Sequence, residues 1–289
     1  MALDGIFINK LINELNNLVG SKINKIYQLG SDEFLFNLKG YDTSKLLIST
    51  NASNYRIHKT TKTYSTPKQP SSFVMFLRKH LEGGVIKNIY QISLDRIIVL
   101  TILKHNELRD IEEKNIIVEL VGKASNLILC DKEFKIIDSW KHVINVENDK
   151  VIIPKSTYKI NINKKNIFEE TLLNQDLLTK KDFQQQYYGI SPLLYEGYIN
   201  NSNPNEFINK LKDIEITPVT FNINGKDNFY FTNILGCEVN EFNTLSELLD
   251  NFFYDKANTS IIKQKTNNID TTVKKLLERT QRKICSQEQ

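Results

Sequence analysis

Residues 71–96 read SSFVMFLRKHLEGGVIKNIYQISLDR, and their periodicity decides the fold around them. Phe73, Leu77 and Leu81 recur at four-residue intervals with Val74 beside them, which predicts a helix with one apolar stripe. Ser71 or Ser72 supplies a capping oxygen for the first orphan N–H groups. Arg78, Lys79 and Glu82 fall on the other side, and His80 projects near the Phe73/Phe76 edge, half-buried. Gly83-Gly84 ends the helix, because glycine reaches the positive φ that a helix terminus takes up. Two strand-like segments follow, 85–92 and 96–103.

Working outward, Asp4 is placed to cap a first helix whose inner face is Phe7, Leu11, Leu15 and Leu18, closed by Gly20. Segments 22–28, 33–38, 45–50 and 55–58 then alternate, with breaks rich in Gly, Ser, Asp and Asn, which reads as an antiparallel meander. The stretch 59–72 is polar and holds Pro67 and Pro70, so it is a loop. Beyond the second helix, further strands are expected at 115–121, 127–130 and 134–137. The expected class is α+β. Residues 1–160 form a β-rich domain with two helices, as a sandwich-like or partly closed double sheet.

Residues 161–215 switch to helical periodicity, with short helices expected at 167–174, 180–186, 192–200 and 205–213. Tyr188-Gly189-Ile190-Ser191-Pro192 is a tight turn between two of them. It is an αα-turn restarted by Pro at the first helical position, or a turn whose Gly189, Ile190 and Ser191 present N–H groups to a phosphate. Residues 216–258 hold a hairpin, 221–223 and 229–232 around Asn224-Gly225, and a connecting helix. In 259–289, Ile262, Ile269 and Leu276 recur every seven residues with Val273 between, which starts a heptad seam. That segment carries seven basic and three acidic residues, the whole formal excess of the chain's +4. A nucleic-acid surface elsewhere must therefore come from local clustering.

At 289 residues, 40% hydrophobic and 25% charged, the chain is an ordinary globular sequence long enough for two cores. Its apolar runs are too short to cross a bilayer, and Asp4, Asn9, Lys10 and Asn13 interrupt any secretory signal. Cys130, Cys237 and Cys285 are odd in number and widely spaced, which argues for reduced structural thiols rather than disulfides or a zinc site. No metal or cofactor is expected. The default compartment is the cytoplasm, with export to the surface by another route left open.

LRKHLEGG followed by LDRI, then ELVGKASNLIL (119–129), resembles the N-terminal domain of the NFACT group. That group is also labelled the fibronectin-binding protein A family and includes RqcH-type ribosome quality-control factors. MALDGIF (1–7), IIDSWKHV (136–143), YYGISPLL (187–194) and SELLDNFFYDKA (246–257) match the same family in the same order. The resemblance implies a β-rich domain like that of formamidopyrimidine-DNA glycosylases, a helix-hairpin-helix module, and the start of a coiled coil. Because family members are much longer, 1–289 is expected to be an N-terminal piece.

The same resemblance implies binding to the stalled large ribosomal subunit with its peptidyl-tRNA, and recruitment of transfer RNA, alanyl in bacteria, for C-terminal tailing. Peptide-bond chemistry would stay with the ribosome, so no catalytic residue and no enzyme are expected. Asp95 and Arg96 are the pair to which the family's role in transfer RNA engagement carries over. From periodicity they sit on a strand edge pointing to opposite faces, with one toward solvent or a cleft; spacing alone also favours an Asp in a turn and an Arg in a surface ion pair. A guanidinium clamps a phosphate or stacks on a base, and a carboxylate accepts from a base amino group. The resemblance suggests that Asp4 and Gly5 line the same site; Arg78, Lys79 and His80 form a local basic cluster that either solvates the exposed side of a packing helix or contacts an RNA backbone. Gly122-Lys123-Ala124-Ser125-Asn126 places Lys123, Ser125 and Asn126 in a turn suited to an anion; Ala124 stands where the family commonly has His. Two other readings stand beside this one. A surface adhesin binding fibronectin follows from the family label. A DNA glycosylase-like enzyme follows from the fold, but Met1-Ala2-Leu3 lacks the Pro nucleophile and its acidic neighbour.

Overall fold

The computed structural model describes residues 3–40, 43–66, 69–145, 150–160, 163–169, 180–200 and 204–254, with Val273, Leu277 and Thr280. Met1–Asp250 form one compact unit and Asn251–Gln289 a second. Ile262, Ile269 and Leu276 of the expected heptad seam, and 170–174 of the expected helix at 167–174, lie outside the described residues; 167–169 form a turn, the Glu169 N–H donating to Asn166 O at 3.1 Å.

Helix α1 (Gly5–Leu15) begins where Asp4 caps it and is buried along Ile6, Phe7, Ile8, Leu11, Ile12 and Leu15. Strands β1 (Lys22–Gln28), β2 (Glu33–Lys39), β3 (Thr43–Ser49) and β4 (Arg56–Lys59) form an antiparallel meander. Helix α2 (Ser72–Leu81) follows, capped by Ser71, whose oxygen accepts from the Val74 N–H at 3.3 Å. A second meander runs through β5 (Val85–Gln91), β6 (Ile97–His105), β7 (Ile111–Glu119), β8 (Asn126–Asp131) and β9 (Ile136–Ser139). Among the described residues the two meanders are hydrogen-bonded into one nine-stranded set, ordered β4-β3-β2-β1-β5-β6-β7-β8-β9. The α+β class is as expected from the sequence.

The join between the halves is narrow, a single ladder pair at Lys22 and Val85. Around it runs a reciprocal set of backbone bonds. The Gly20 N–H donates to Ile86 O and the Gly83 N–H to Ile23 O, both at 2.8 Å. The Ile23 N–H donates to Gly84 O at 2.8 Å and the Ile86 N–H to Ser21 O at 2.9 Å. Gly20 and Gly83 have φ of +88° and +87°. INKIYQ (23–28) matches IKNIYQ (86–91), and the register shifts at Ile23/Lys25 in one half and at Ile86/Asn88 in the other. A helix, a left-handed glycine, a bulged strand and a meander are thus repeated about an approximate dyad. Each helix packs across it, α1 on β5 and α2 on β1.

The two halves then close on each other. After β9, Trp140 packs edge-on to Phe34 at 5.4 Å and donates to Asp32 Oδ1 at 2.9 Å, while Lys141 Nζ donates to Thr50 O at 3.1 Å. Ile98 to Ile102 are consecutively buried, as a strand covered on both faces requires. The expected strand at 134–137 starts two residues late. Phe134 takes φ +60° in a turn that precedes β9.

Short pairs β10 (Val143–Asn145)/β11 (Lys150–Ile152) and β12 (Lys165–Asn166)/β13 (Tyr187–Tyr188) follow, with α3 (Lys180–Gln186) between β12 and β13. Helices α4 (Pro192–Ile199) and α5 (Pro204–Asp213) come next. The expected hairpin forms as β14 (Val219–Ile223) and β15 (Lys226–Tyr230), turning through Asn224 (φ +50°) and Gly225 (φ +75°). With β16 (Asn240–Glu241) it makes a separate three-stranded sheet rather than joining the large one. Its Phe229, Tyr230 and Phe231 surround the Phe7 ring of α1 at 5.4–6.5 Å, so α1 lies between two layers.

Candidate nucleic-acid interface

Asp95 and Arg96 are not on a strand. Ser93 takes φ +52°, and the chain turns through 92–96 before β6 begins at Ile97. The Asp95 N–H donates to Ile92 O at 3.1 Å, and Asp95 Oδ1 accepts from the Arg96 N–H at 2.7 Å. The opposite-face expectation for neighbours on a strand therefore does not apply. A turn lets both side chains lean toward the same space.

That space is a cleft with two chambers, about 330 and 320 Å³. Asp95, Arg96, Lys164 and Tyr188 line both. The first chamber adds Glu119, Lys150, Tyr158, Lys159 and Asn163. Glu119 is buried and fully engaged: Lys150 Nζ donates to its two oxygens at 2.9 and 2.8 Å, and the Tyr158 hydroxyl donates at 2.9 Å. Burial first, then the Glu119 charge, pushes the Tyr158 hydroxyl far above its ordinary range, so it stays a donor. Lys164 Nζ lies 5.9 Å from the Tyr188 ring centroid, and the Tyr188 hydroxyl pairs with Asn163 Oδ1 at 3.0 Å. Four basic groups (Arg96, Lys150, Lys159, Lys164) face two acidic ones (Asp95, Glu119) around this chamber.

The second chamber is bounded by Asp4, Gly5, Leu94, Gln184 and the Gly189-Ile190-Ser191-Pro192 turn. Three backbones meet here. A Cβ on Gly5 would lie 1.7 Å from Leu94 O and 2.8 Å from Gly189 Cα. Gly189, at φ +86°, packs on Ile6 and Leu94. Gln91 ties the corner together, its Nε2 donating to Gly5 O at 2.7 Å and to Asp95 O at 2.8 Å. Gly5 and Gly189 are thus explained by close backbone approach. Ser191 caps α4, accepting from the Leu194 N–H at 3.1 Å.

Asp4 sits at the floor, 4% exposed. Its Oδ1 accepts from the Phe7 N–H at 2.9 Å and its Oδ2 from the Tyr230 hydroxyl at 3.0 Å, with the Ser191 hydroxyl and the Arg96 charge nearby. Burial outweighs these partners and raises its pKa to about 6. It is a clamp joining α1, α4, β15 and the Arg96 turn, not an open ligand. Between about pH 4 and 6 the native state holds a proton here that the unfolded chain releases. Stability from this group therefore falls as pH rises through that window, by up to about 3 kcal/mol, and is level above it. Asp4→Asn should lack this slope. Urea midpoints of parent and variant at about pH 4.5 and 7.5 check it; parallel curves would refute the assignment.

The remaining expected site residues lie elsewhere. Ser125 and Asn126 are buried and spent within the fold: Ser125 Oγ accepts from the Val121 N–H at 2.9 Å, and Asn126 Nδ2 donates to Lys141 O at 2.8 Å. The anion-binding reading of that turn is corrected on this ground, although Lys123 is exposed. Arg78 is a strut, with Nε donating to Ile26 O at 2.8 Å and its guanidinium 5.6 Å from the Tyr27 ring centroid. Lys79 is exposed and His80 half-buried against Phe76, ring centroids 4.4 Å apart. His58 is buried and held neutral by burial first and Arg56 second; His105 and His142 are exposed. Among the described residues no cluster of three His, Cys, Asp or Glu could hold a metal. Lys150, Lys164 and Tyr158 go unannounced in the sequence, and Tyr188 enters there only as the start of the 188–192 turn. Adjacent tyrosines before Gly189 were the available signal.

The family model for NFACT N-terminal and middle domains matches residues 4–289. The chain belongs to the NFACT family. It is 32% identical over 298 residues to the Rqc2 homolog RqcH of Bacillus subtilis, covering 94% of this chain and 52% of that one. It is 32% identical to the Rqc2 homolog RqcH of Streptococcus suis, covering 100% of this chain and 54% of that one. This NFACT chain thus spans about half the length of the curated relatives it matches. Among solved structures it is similar to the N-terminal part of the fibronectin/fibrinogen-binding protein of S. suis, with TM-score 0.80 and 28% identity over 88% of this chain and 100% of that one. It is also similar to the fibrinogen binding protein of Staphylococcus aureus, with TM-score 0.76 and 29% identity over 88% of this chain and 99% of that one. No helix among the described residues is long and apolar enough to cross a membrane.

Proposed function

We propose that this chain is the RNA-binding part of a ribosome quality-control factor. It engages transfer RNA, alanyl in bacteria, on the large subunit with a stalled peptidyl-tRNA, in the cytoplasm. The observation that carries this reading is the Asp95–Arg96 turn, which lines both chambers together with Lys164 and Tyr188. A guanidinium and an ammonium around a phosphate and a carboxylate for a base amino group make a set suited to single-stranded RNA; Tyr188, 6% exposed, forms part of the wall. The names of the RqcH relatives support it. The protein's part is positioning: the reaction is left to the ribosome.

Transfer RNA binding should weaken steeply as salt rises. Asp95→Ala/Arg96→Ala should lower affinity about tenfold or more, with the chain still folding cooperatively in urea. Filter binding across a salt series checks this, and parent-like affinity in the double variant would remove the site. The names of the two solved neighbours favour a second reading, binding of fibronectin or fibrinogen. Tight fibronectin binding without RNA affinity would select that one.

A further inference from the structure

The approximate dyad relates α1 to α2, but their outer faces differ. The hairpin aromatics Phe229, Tyr230 and Phe231 cover α1. The outer face of α2 keeps Met75 59% exposed and Lys79 exposed, beside the half-buried Phe76–His80 pair, whose rings are tilted by 53°. The charge around that pair is lopsided. Lys79 from α2, Lys104 from β6 and Lys114 from β7 act on His80, against Glu112 from β7. Glu112 is already held by Lys114 at 2.6 Å, and Lys104 Nζ donates to the Lys79 backbone O at 2.6 Å, which brings the Lys104 ammonium to the α2 backbone. Burial first, and then these lysines, keep the imidazole below its ordinary pKa, so it lies against Phe76 as a neutral ring.

We infer that the outer face of α2 is a second RNA contact, with Lys79 and Lys104 taking backbone phosphates and the Phe76–His80 pair taking an unpaired base. An acidic protein segment would find the lysines but no use for a neutral, half-exposed pair of rings; RNA uses both. Arg96 precedes β6 and Lys104 lies near its end, eight residues on. At about 3.3 Å per residue the two contacts are roughly 25 Å apart. One folded RNA reaches across that distance, so the occupant is the same transfer RNA that enters the cleft. The inference rests on the RNA-binding reading above.

The test is transfer RNA binding by the whole chain across a salt series. Lys79→Ala/Lys104→Ala should reduce affinity about tenfold and lower the salt slope by about 2. A photo-crosslinking residue at exposed Met75 should join to RNA in the parent background. Parent-like affinity and slope, or a crosslink formed to protein alone when ribosomes are present, overturns the second contact. The reading of the cleft is separable. If Asp95→Ala/Arg96→Ala loses binding while the lysine variant does not, the cleft stands and α2 falls. If neither variant changes binding, both fall.

Discussion

Gly5→Ala should lose the native corner on which the cleft is built. Alanine is the better helix former by roughly 1 kcal/mol, so propensity alone gives the wrong sign. The added Cβ would sit 1.7 Å from Leu94 O, with Gly189 Cα 2.8 Å away. Both obstacles are backbone, so no side chain can rotate aside. Leu94 belongs to the turn that presents Asp95 and Arg96, and moving it would break the Gln91 tie to Gly5 O and Asp95 O. A cost of about 3 kcal/mol or more is expected, together with loss of transfer RNA binding. Gly20→Ala is the control. It has φ +88° with nothing within 4 Å of the added carbon, so it should cost about 1–2 kcal/mol from backbone strain and leave binding intact. Urea titration with parallel filter binding measures both, and equal losses in the two variants would refute the packing explanation.

Arg56→Ala should be the other severe change, far from the cleft. The Arg56 side chain is fully buried, with Nη2 3.0 Å from Glu33 Oε1 and Nη1 donating to Asn54 O at 2.7 Å. Glu33 is itself 7% exposed. Alanine would leave a carboxylate in the interior without its counter-charge, at a cost of about 3–5 kcal/mol. The double replacement Arg56→Met/Glu33→Leu removes both charges and keeps apolar volume, so it should recover most of that loss. A double-mutant cycle from urea midpoints checks it. If the double variant were as unstable as the single one, the uncompensated charge would not be the cause.

Much of the fold was legible in local sequence. The four-residue stripe of α2, its Ser71 cap and its Gly83 stop appear where periodicity put them. So does the Asn224-Gly225 hairpin, because its turn needs two residues at positive φ. The repeat that joins the halves was also written in the chain, as INKIYQ and IKNIYQ. Its meaning depends on the reciprocal bonds of Gly20 and Gly83, which no strand pattern announces. At the cleft, alternation misled: it put Asp95 and Arg96 on a strand, where a left-handed Ser93 makes a turn. Gly122–Asn126 misled differently. Its polar letters suggested a ligand, but Ser125 and Asn126 use their oxygens and amide on Val121 and Lys141.

The short pairs β10/β11 and β12/β13 and strand β16 went unannounced, but by itself the sequence determined the main helices, the two meanders, the hairpin, their order and the family. These follow from interactions between residues a few positions apart, which a linear string displays. The tertiary structure decided which charges are buried and which face a cleft. Glu33 meets Arg56, Glu119 meets Lys150, and Asp4 meets Tyr230 across long stretches of chain. A charged side chain is either solvated or enclosed according to those distant partners, and the energetic difference between the two is large.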